Sequence, residues 1–155
     1  MNVLNSLTAK LLAKQLTVTC AESCTGGLLA GELTRLSGSS AWFETGFVTY
    51  SNEAKHKLLG VREETLAQYG AVSRQTVEEM AAGALKAADA DFALSISGIA
   101  GPTGGSAEKP VGTVWFGLAS AEGMEAKCVK FEGGRDEVRA QAVAFAIAWL
   151  DMVVQ

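Results

Sequence analysis

The chain is 155 residues long, room for one domain of ordinary size and too little for two, yet enough to bury a core without disulfides or a structural metal. Hydrophobic residues make up 48% of it, but 25 of the 155 are alanine and 17 are glycine, small side chains that favour close helix-on-sheet packing over a β-sandwich rich in Val, Ile, Thr and aromatics. Thirteen basic residues against 17 acidic ones, with no stretch that concentrates Lys or Arg, argue against nucleic-acid binding as the main task, because affinity for a phosphate backbone comes from clustered positive charge.

Leu4, Leu7, Leu11 and Leu12 share one face at helical spacing, which predicts an opening amphipathic helix ending near Gln15. Leu16 to Ala21 is short, β-branched and bounded by a polar cluster, the pattern of a strand. Gly26 and Gly27 then lead into an apolar helix over Leu28 to Leu36, so this segment reads strand, tight turn, helix. Residues Ser37 to Ser40 read as a loop, and Phe47 to Tyr50 as the heart of a second strand. A short helix is expected over Asn52 to Leu59, stopped by Gly60, and another over Arg62 to Tyr69, closed by Gly70. Ser73 is the expected N-cap of a helix reaching about Asp89, with Val77, Met80, Ala81, Ala84, Leu85 and Ala88 on its apolar face.

Phe92 to Ser97 reads as a third strand, running into GIAGPTGGSAEKP, a long glycine-rich loop. Val111 to Ala119 and Ala126 to Phe131, joined through Glu122-Gly123, predict an antiparallel hairpin. The last helix is expected from near Asp136, with Val138, Ala142, Phe145, Trp149 and Met152 forming a seam toward a sheet or a partner helix. Together these elements predict one three-layer α/β/α domain over residues 1–155, with a mixed, mainly parallel sheet and an antiparallel hairpin near the C-terminus.

The single histidine, His56, leaves histidine-rich zinc sites without ligands and a Ser-His-Asp triad with only one possible base. Cys20, Cys24 and Cys128 fit neither a redox C-x-x-C motif nor paired zinc knuckles, and three reduced cysteines point to the cytoplasm. The N-terminus has no unbroken apolar run of signal-peptide length, and no segment has the ~18 apolar residues needed to cross a membrane.

Three stretches at predicted strand exits carry polar or glycine-rich sequence, which points to one cleft, since ligands of open α/β sheets bind at the carboxyl ends of strands. In Glu22-Ser23-Cys24-Thr25-Gly26-Gly27, Ser23 reads either as a nucleophile, with amides near Thr25 to Gly27 offered to an oxyanion or a phosphate, or as a simple helix cap. In Tyr50-Ser51-Asn52-Glu53-Ala54-Lys55, the lysine lies about one turn after the expected cap and, taken alone, reads more naturally as a solvated surface residue, as does His56. Gly98 to Gly105 matches neither dinucleotide nor P-loop fingerprints, but its four glycines allow backbone to approach a ligand closely.

The motifs AESCTGG, GSSAWFETGFVTYSNEAK, GAVS, SISGIAGPTGG, KPVGTVWFG and FEGGRDEVR occur in this order from about Val18 to the last helix. As a set they resemble the CinA C-terminal domain family, and within it the stand-alone nicotinamide-nucleotide amidohydrolases. The resemblance implies deamidation of nicotinamide mononucleotide by a Ser-Lys pair, with no metal or cofactor, in a homodimer. It carries the nucleophile to Ser23, the base to Lys55 and a supporting tyrosine to Tyr50. The implied substrate contacts are Cys24, Thr25, Gly26, Gly27, Ser51, Asn52, Gly101, Thr103, Gly104, Gly105, Arg135 and Arg139. His56 follows the motif lysine where a smaller residue is expected. The same cleft also suits a non-catalytic module that senses a pyridine nucleotide or another phosphorylated metabolite, and a purely structural subunit is a third reading.

Overall fold

The structure, a computed structural model, describes residues 2–155. Helix α1 (Val3–Lys14) starts where Asn2 accepts the Asn5 amide at 2.8 Å, and Leu4, Leu7, Thr8 and Leu11 face inward. It ends at Gln15 in the left-handed conformation, and the Leu16 amide still donates back to Leu11, which delays strand β1 to Val18–Glu22. All five residues of β1 are buried, as befits a strand covered on both faces.

Helix α2 (Leu28–Leu33) is shorter than expected because side chains satisfy its last carbonyls: Trp42 Nε1 donates to Leu33 and Thr34 Oγ1 to Ala30. A 3₁₀ turn occupies Ser39–Ala41, part of the expected loop. Strand β2 (Phe47–Val48) is two residues long, not four. Beyond Val48 the carbonyls of Thr49 and Tyr50 turn to a lysine instead of continuing a ladder.

Helix α3 (Asn52–Leu59) runs between the Ser51 cap and Gly60, whose φ of 72° suits glycine, and both ends match the sequence reading. Helix α4 (Glu63–Tyr69) follows, and helix α5 (Arg74–Ala88) is capped by Ser73. Strand β3 (Phe92–Gly98), strand β4 (Thr113–Ser120), strand β5 (Gly123–Lys130) and helix α6 (Arg135–Val153) complete the chain.

The sheet order is β2-β1-β3-β4-β5, with β1 parallel to both neighbours and antiparallel pairing from β3 to β5. Four strands therefore run one way and β4 alone runs against them. Helices α1, α2 and α6 cover one face over a core that includes Leu7, Leu29, Ile96, Phe116 and Leu150. Helices α3, α4 and α5 lie on the other, over Ala21, Val77, Met80, Ala84 and Ala93. The expected α6 seam holds at Val138, Ala142 and Trp149, with Phe145 in an aromatic cluster with Phe116 and Phe131, but Met152 is 72% exposed and leaves it. No described helix is long and apolar enough to cross a membrane.

Small residues set one distance that matters for the site. A Cβ at Gly83 would collide with the Leu59 carbonyl, so α5 and the end of α3 touch backbone to backbone. Replacing Gly83 by alanine should force them apart and cost about 1–3 kcal/mol, as overpacking does. Gly31→Ala, in open space on α2, should instead be neutral or gain about 0.5–1 kcal/mol. Denaturant unfolding of the two variants measures both. Equal stability of the two would show that the α3–α5 contact yields freely.

Candidate active site

Strands β1, β2 and β3 end at one edge of the sheet, with α2 leaving β1 on one face and α3 following β2 on the other. Ser23 is the first residue after β1, and its amide still donates to Ile96 of β3 at 3.0 Å. Lys55, on the buried side of α3, reaches the same point: its Nζ lies 3.0 Å from Ser23 Oγ, 3.0 Å from the Thr49 carbonyl and 3.3 Å from the Tyr50 carbonyl. Lys55 is only 1% exposed, and among the described residues it forms no ion pair with a carboxylate. The isolated reading of Lys55 as a surface lysine is thereby overturned. Burial disfavours the ammonium and lowers its pKa to about 8, a drop that neighbouring Cys24 partly opposes. Cys24 itself is pushed up to about 11, chiefly by burial, which makes its thiol inert at neutral pH.

The three acceptors around Lys55 Nζ match the three N–H groups of an ammonium, which donates to Ser23 Oγ and to the two carbonyls while Ser23 Oγ donates to the Tyr50 carbonyl at 3.4 Å. Loss of the proton shared with Ser23 leaves a lone pair facing that hydroxyl. His56, next in sequence, points elsewhere, with Nδ1 2.8 Å from the Val61 carbonyl.

The turn after Ser23 departs from the expected anion site. Glu22 is fully buried, and its carboxylate accepts from Thr25 Oγ1 at 2.6 Å and from the Leu29 and Ala30 amides at 2.8 and 2.9 Å. A resident anion thus already occupies the α2 N-terminus, where a carboxylate is favoured by the helix dipole. The Thr25 hydroxyl donates to Glu22, and the Gly26 amide donates to the Ser23 carbonyl. The amides of Cys24, Thr25 and Gly27 are left with no protein acceptor among the described residues. Gly26 (φ 55°) and Gly27 (φ 108°) make the turn in left-handed backbone that other residues rarely adopt.

Tyr50 contributes differently from its expected role. Its ring is 58% exposed and its hydroxyl accepts from Arg135 Nη2 at 3.0 Å, so the backbone carbonyl, not the phenol, holds Lys55. Arg135 also donates from Nη1 to the Gly101 carbonyl at 2.8 Å, bridging the glycine-rich loop to the tyrosine. Arg139, one turn on, donates to the carbonyls of Cys24 at 3.1 Å and Thr25 at 3.5 Å.

Other expected contacts lie further out. Ser51 spends its hydroxyl on the Ala54 amide, and Asn52 is exposed on the first turn of α3. Thr103, Gly104 and Gly105 are exposed along the loop. A Cβ at Gly101 or Gly105 would collide with Val111, so these two glycines serve the close return of the chain.

Two hydroxyls escaped the sequence reading. Glu22 pairs with Val48 and with Ile96, so the next row across the three strand ends is Thr49, Ser23, Ser97. Thr49 Oγ1 and Ser97 Oγ are buried with no hydrogen-bond partner among the described residues, although such groups nearly always have one. The signal was present in Ser95-Ile96-Ser97, where period-two alternation puts two polar residues on one face of a buried strand. Ser95 bonds to the Val77 carbonyl of α5, and Ser97 is the one left free.

The model of the CinA C-terminal domain matches residues 2–154. The nicotinamide-nucleotide amidohydrolase PncC of Escherichia coli K12 is 64% identical over 143 residues, which cover 90% of this chain and 86% of that protein. The protein of the same name from Enterobacter agglomerans is 64% identical over 141 residues, covering 90% and 85%. Among solved structures, a CinA superfamily protein from Klebsiella pneumoniae 700603 superposes with a TM-score of 0.94 at 43% identity, covering 99% of this chain and 98% of that one. A competence/damage inducible protein from Agrobacterium tumefaciens gives 0.92 at 45%, covering 100% and 98%. With a family model spanning nearly every residue and relatives this similar in sequence and in fold, the chain belongs to the CinA C-terminal domain family.

Proposed function

We propose that this protein is a serine amidohydrolase that deamidates nicotinamide mononucleotide, with Ser23 as nucleophile and Lys55 as its general base. The observation that carries this reading is a buried lysine without a carboxylate partner, 3.0 Å from a serine hydroxyl at a strand exit. The substrate follows from the amidohydrolases to which the chain is 64% identical.

In the first half-reaction Ser23 Oγ bonds to the carboxamide carbon while its proton passes to neutral Lys55. The Lys55 ammonium then gives that proton to the nitrogen as the C–N bond breaks, releasing ammonia and leaving an ester on Ser23. In the second half, Lys55 takes a proton from water, the hydroxide bonds to the acyl carbon, and the proton returns to Ser23 as the carboxylic acid leaves and gives its own proton to solvent. The negative oxygen formed in each half lies beside the turn that carries the free Cys24, Thr25 and Gly27 amides; one such donor contributes about 3 kcal/mol. Thr49 Oγ1 and Ser97 Oγ, buried in the same row as Ser23, keep unspent hydrogen-bonding capacity beside the reaction. Tyr50 lines the mouth, and Arg135 there exchanges its bonds to Tyr50 and Gly101 for the substrate phosphate, which a guanidinium grips in two places.

Ammonia release from nicotinamide mononucleotide by the purified protein tests the activity itself. Ser23→Ala should lower kcat by at least about three orders of magnitude, with an unchanged circular dichroism spectrum and nucleotide affinity, because only a small hydroxyl is lost. Turnover within tenfold of wild type would remove Ser23 from the nucleophile's role.

The lysine predicts a pH profile. Only the neutral amine acts as base, so kcat/KM should rise with pH through an apparent pKa of about 8. Lys55→Arg keeps the charge but stays protonated, so it should be nearly as inactive as Lys55→Ala. His56→Ala should leave the profile in place. A rising limb that vanishes with His56→Ala would transfer the base to the histidine.

The arginine at the mouth gives a separate outcome. Arg135→Ala should raise KM for the mononucleotide at least tenfold while changing KM for nicotinamide riboside, which lacks the phosphate, by less than threefold. Equal changes for both would deny Arg135 the phosphate.

A further inference from the structure

Arg135 and Arg139 are one turn apart on α6, yet their surroundings differ. Arg135 is exposed and bridges two groups at the mouth. Arg139 is half-buried and committed to the backbone of the Ser23–Gly27 turn, with Nε on the Cys24 carbonyl and Nη2 toward the Thr25 carbonyl. Its guanidinium also lies against Gly26, where an added Cβ would come within 3.2 Å of Nη2.

We infer that Arg139 is a positioning residue that aims the Thr25 amide into the oxyanion site beside Ser23, and that it is not a ligand for the substrate phosphate. A trans peptide is planar, with its C=O and N–H pointing opposite ways. The carbonyl of the Cys24–Thr25 peptide points to Arg139, which comes from the α6 layer. The N–H of that peptide, on Thr25, therefore points to the opposite side of the turn, where Lys55 of α3 meets Ser23. It has no acceptor among the described residues, as an amide reserved for a developing charge requires.

The adjoining peptide is fixed independently, its Gly26 amide on the Ser23 carbonyl and its Thr25 carbonyl accepting from Leu28 as well. The Cys24 carbonyl has Arg139 as its only partner among the described residues. Without the guanidinium, the Cys24–Thr25 peptide is free to rotate, because the two left-handed glycines that follow resist little. The free amide then loses its aim.

This inference rests on the proposed Ser-Lys chemistry, but its test does not rest on the substrate. Phenylboronic acid adds to a serine hydroxyl: an O–B bond forms, the hydroxyl proton passes to Lys55, and boron becomes a tetrahedral anion with an oxygen in the oxyanion position. Its Kd is measured for the wild-type chain, Ser23→Ala, Arg139→Ala and Arg139→Gln, with unfolding curves to establish that each is folded. Loss of one oxyanion donor costs about 10²–10³ in kcat, so boronate affinity should fall at least tenfold in Arg139→Ala. Arg139→Gln, whose amide still donates to the Cys24 carbonyl, should recover part of it and stands in if the alanine variant does not fold. With nicotinamide mononucleotide and nicotinamide riboside, the alanine variant should lose kcat by similar factors and keep both KM values within threefold. Boronate affinity within threefold of wild type in the folded variants overturns the inference, as does a KM increase confined to the phosphorylated substrate or Ser23-independent boronate binding in the wild type. If boronate binding depends on Ser23 and Arg139 while wild type releases no ammonia from the mononucleotide, the inference stands and the substrate assignment fails.

Discussion

The site depends on keeping an amine out of water with nothing of opposite charge beside it. Shifting a lysine pKa from 10.5 to about 8 costs folding roughly 3 kcal/mol at pH 7. The sign follows from the depressed folded-state value: the full penalty applies below pH 8, fades as pH rises from 8 to 10.5, and is gone above 10.5, where neither state holds the proton. A domain with a total stability of about 5–15 kcal/mol can carry such a penalty only if the rest of the segment is well made. Helix α3 meets that condition with a serine cap, a left-handed glycine stop and backbone contact with α5 at Gly83.

The sheet explains why the parts meet. Parallel strands β1, β2 and β3 finish at one edge, so Thr49, Ser23 and Ser97 fall in one row although 74 positions separate Ser23 from Ser97 in the sequence. Ser23, the proposed nucleophile, follows the central strand of that row, and Lys55, the proposed base, reaches it from one helical layer. The other layer supplies the turn's supports. Glu22 holds the turn through Thr25 and α2 through two amides, and Arg139 holds two carbonyls from outside, so a turn of glycines is fixed between a buried carboxylate and a cation.

Helix α3 and its glycine stop were legible in the sequence, with its cap narrowed to Ser51 or Asn52 and Ser51 filling it, and the hairpin was legible from Glu122-Gly123. Lys55 was not legible by itself. It reaches Ser23 at the end of β1, 32 residues away, as well as the carbonyls after β2, and only the family motifs singled it out. Glu22 was also opaque, since a carboxylate in a strand gives no hint that it folds back onto amides seven and eight residues later. Strand β2 was overestimated for a related reason: Thr49 and Tyr50 have strand-forming side chains, but their carbonyls serve Lys55. Arg135 and Arg139 looked equivalent at helical spacing, and only the turn packed against α6 separates them.

A base with a pKa near 8 suits both halves of the proposed cycle. At pH 7 about one-tenth of it is neutral, roughly 300 times the fraction of an ordinary lysine, so most of the available gain in reactive population has been realised. Lowering the pKa further would add at most about tenfold in population while weakening the base that must draw a proton from serine and from water. Raising it would strengthen the base but leave almost all of it protonated. The two carbonyls of Thr49 and Tyr50 supply the compensating element: they accept from the amine in either state, so the ammonium formed after serine attack keeps its hydrogen bonds while it waits to protonate the departing nitrogen. Burial alone would make that ammonium too costly an intermediate, and carboxylate pairing would make it too stable to deprotonate at neutral pH. Neutral backbone acceptors lie between these limits, which is why two peptide carbonyls from the end of a truncated strand serve this lysine where a charged side chain would not.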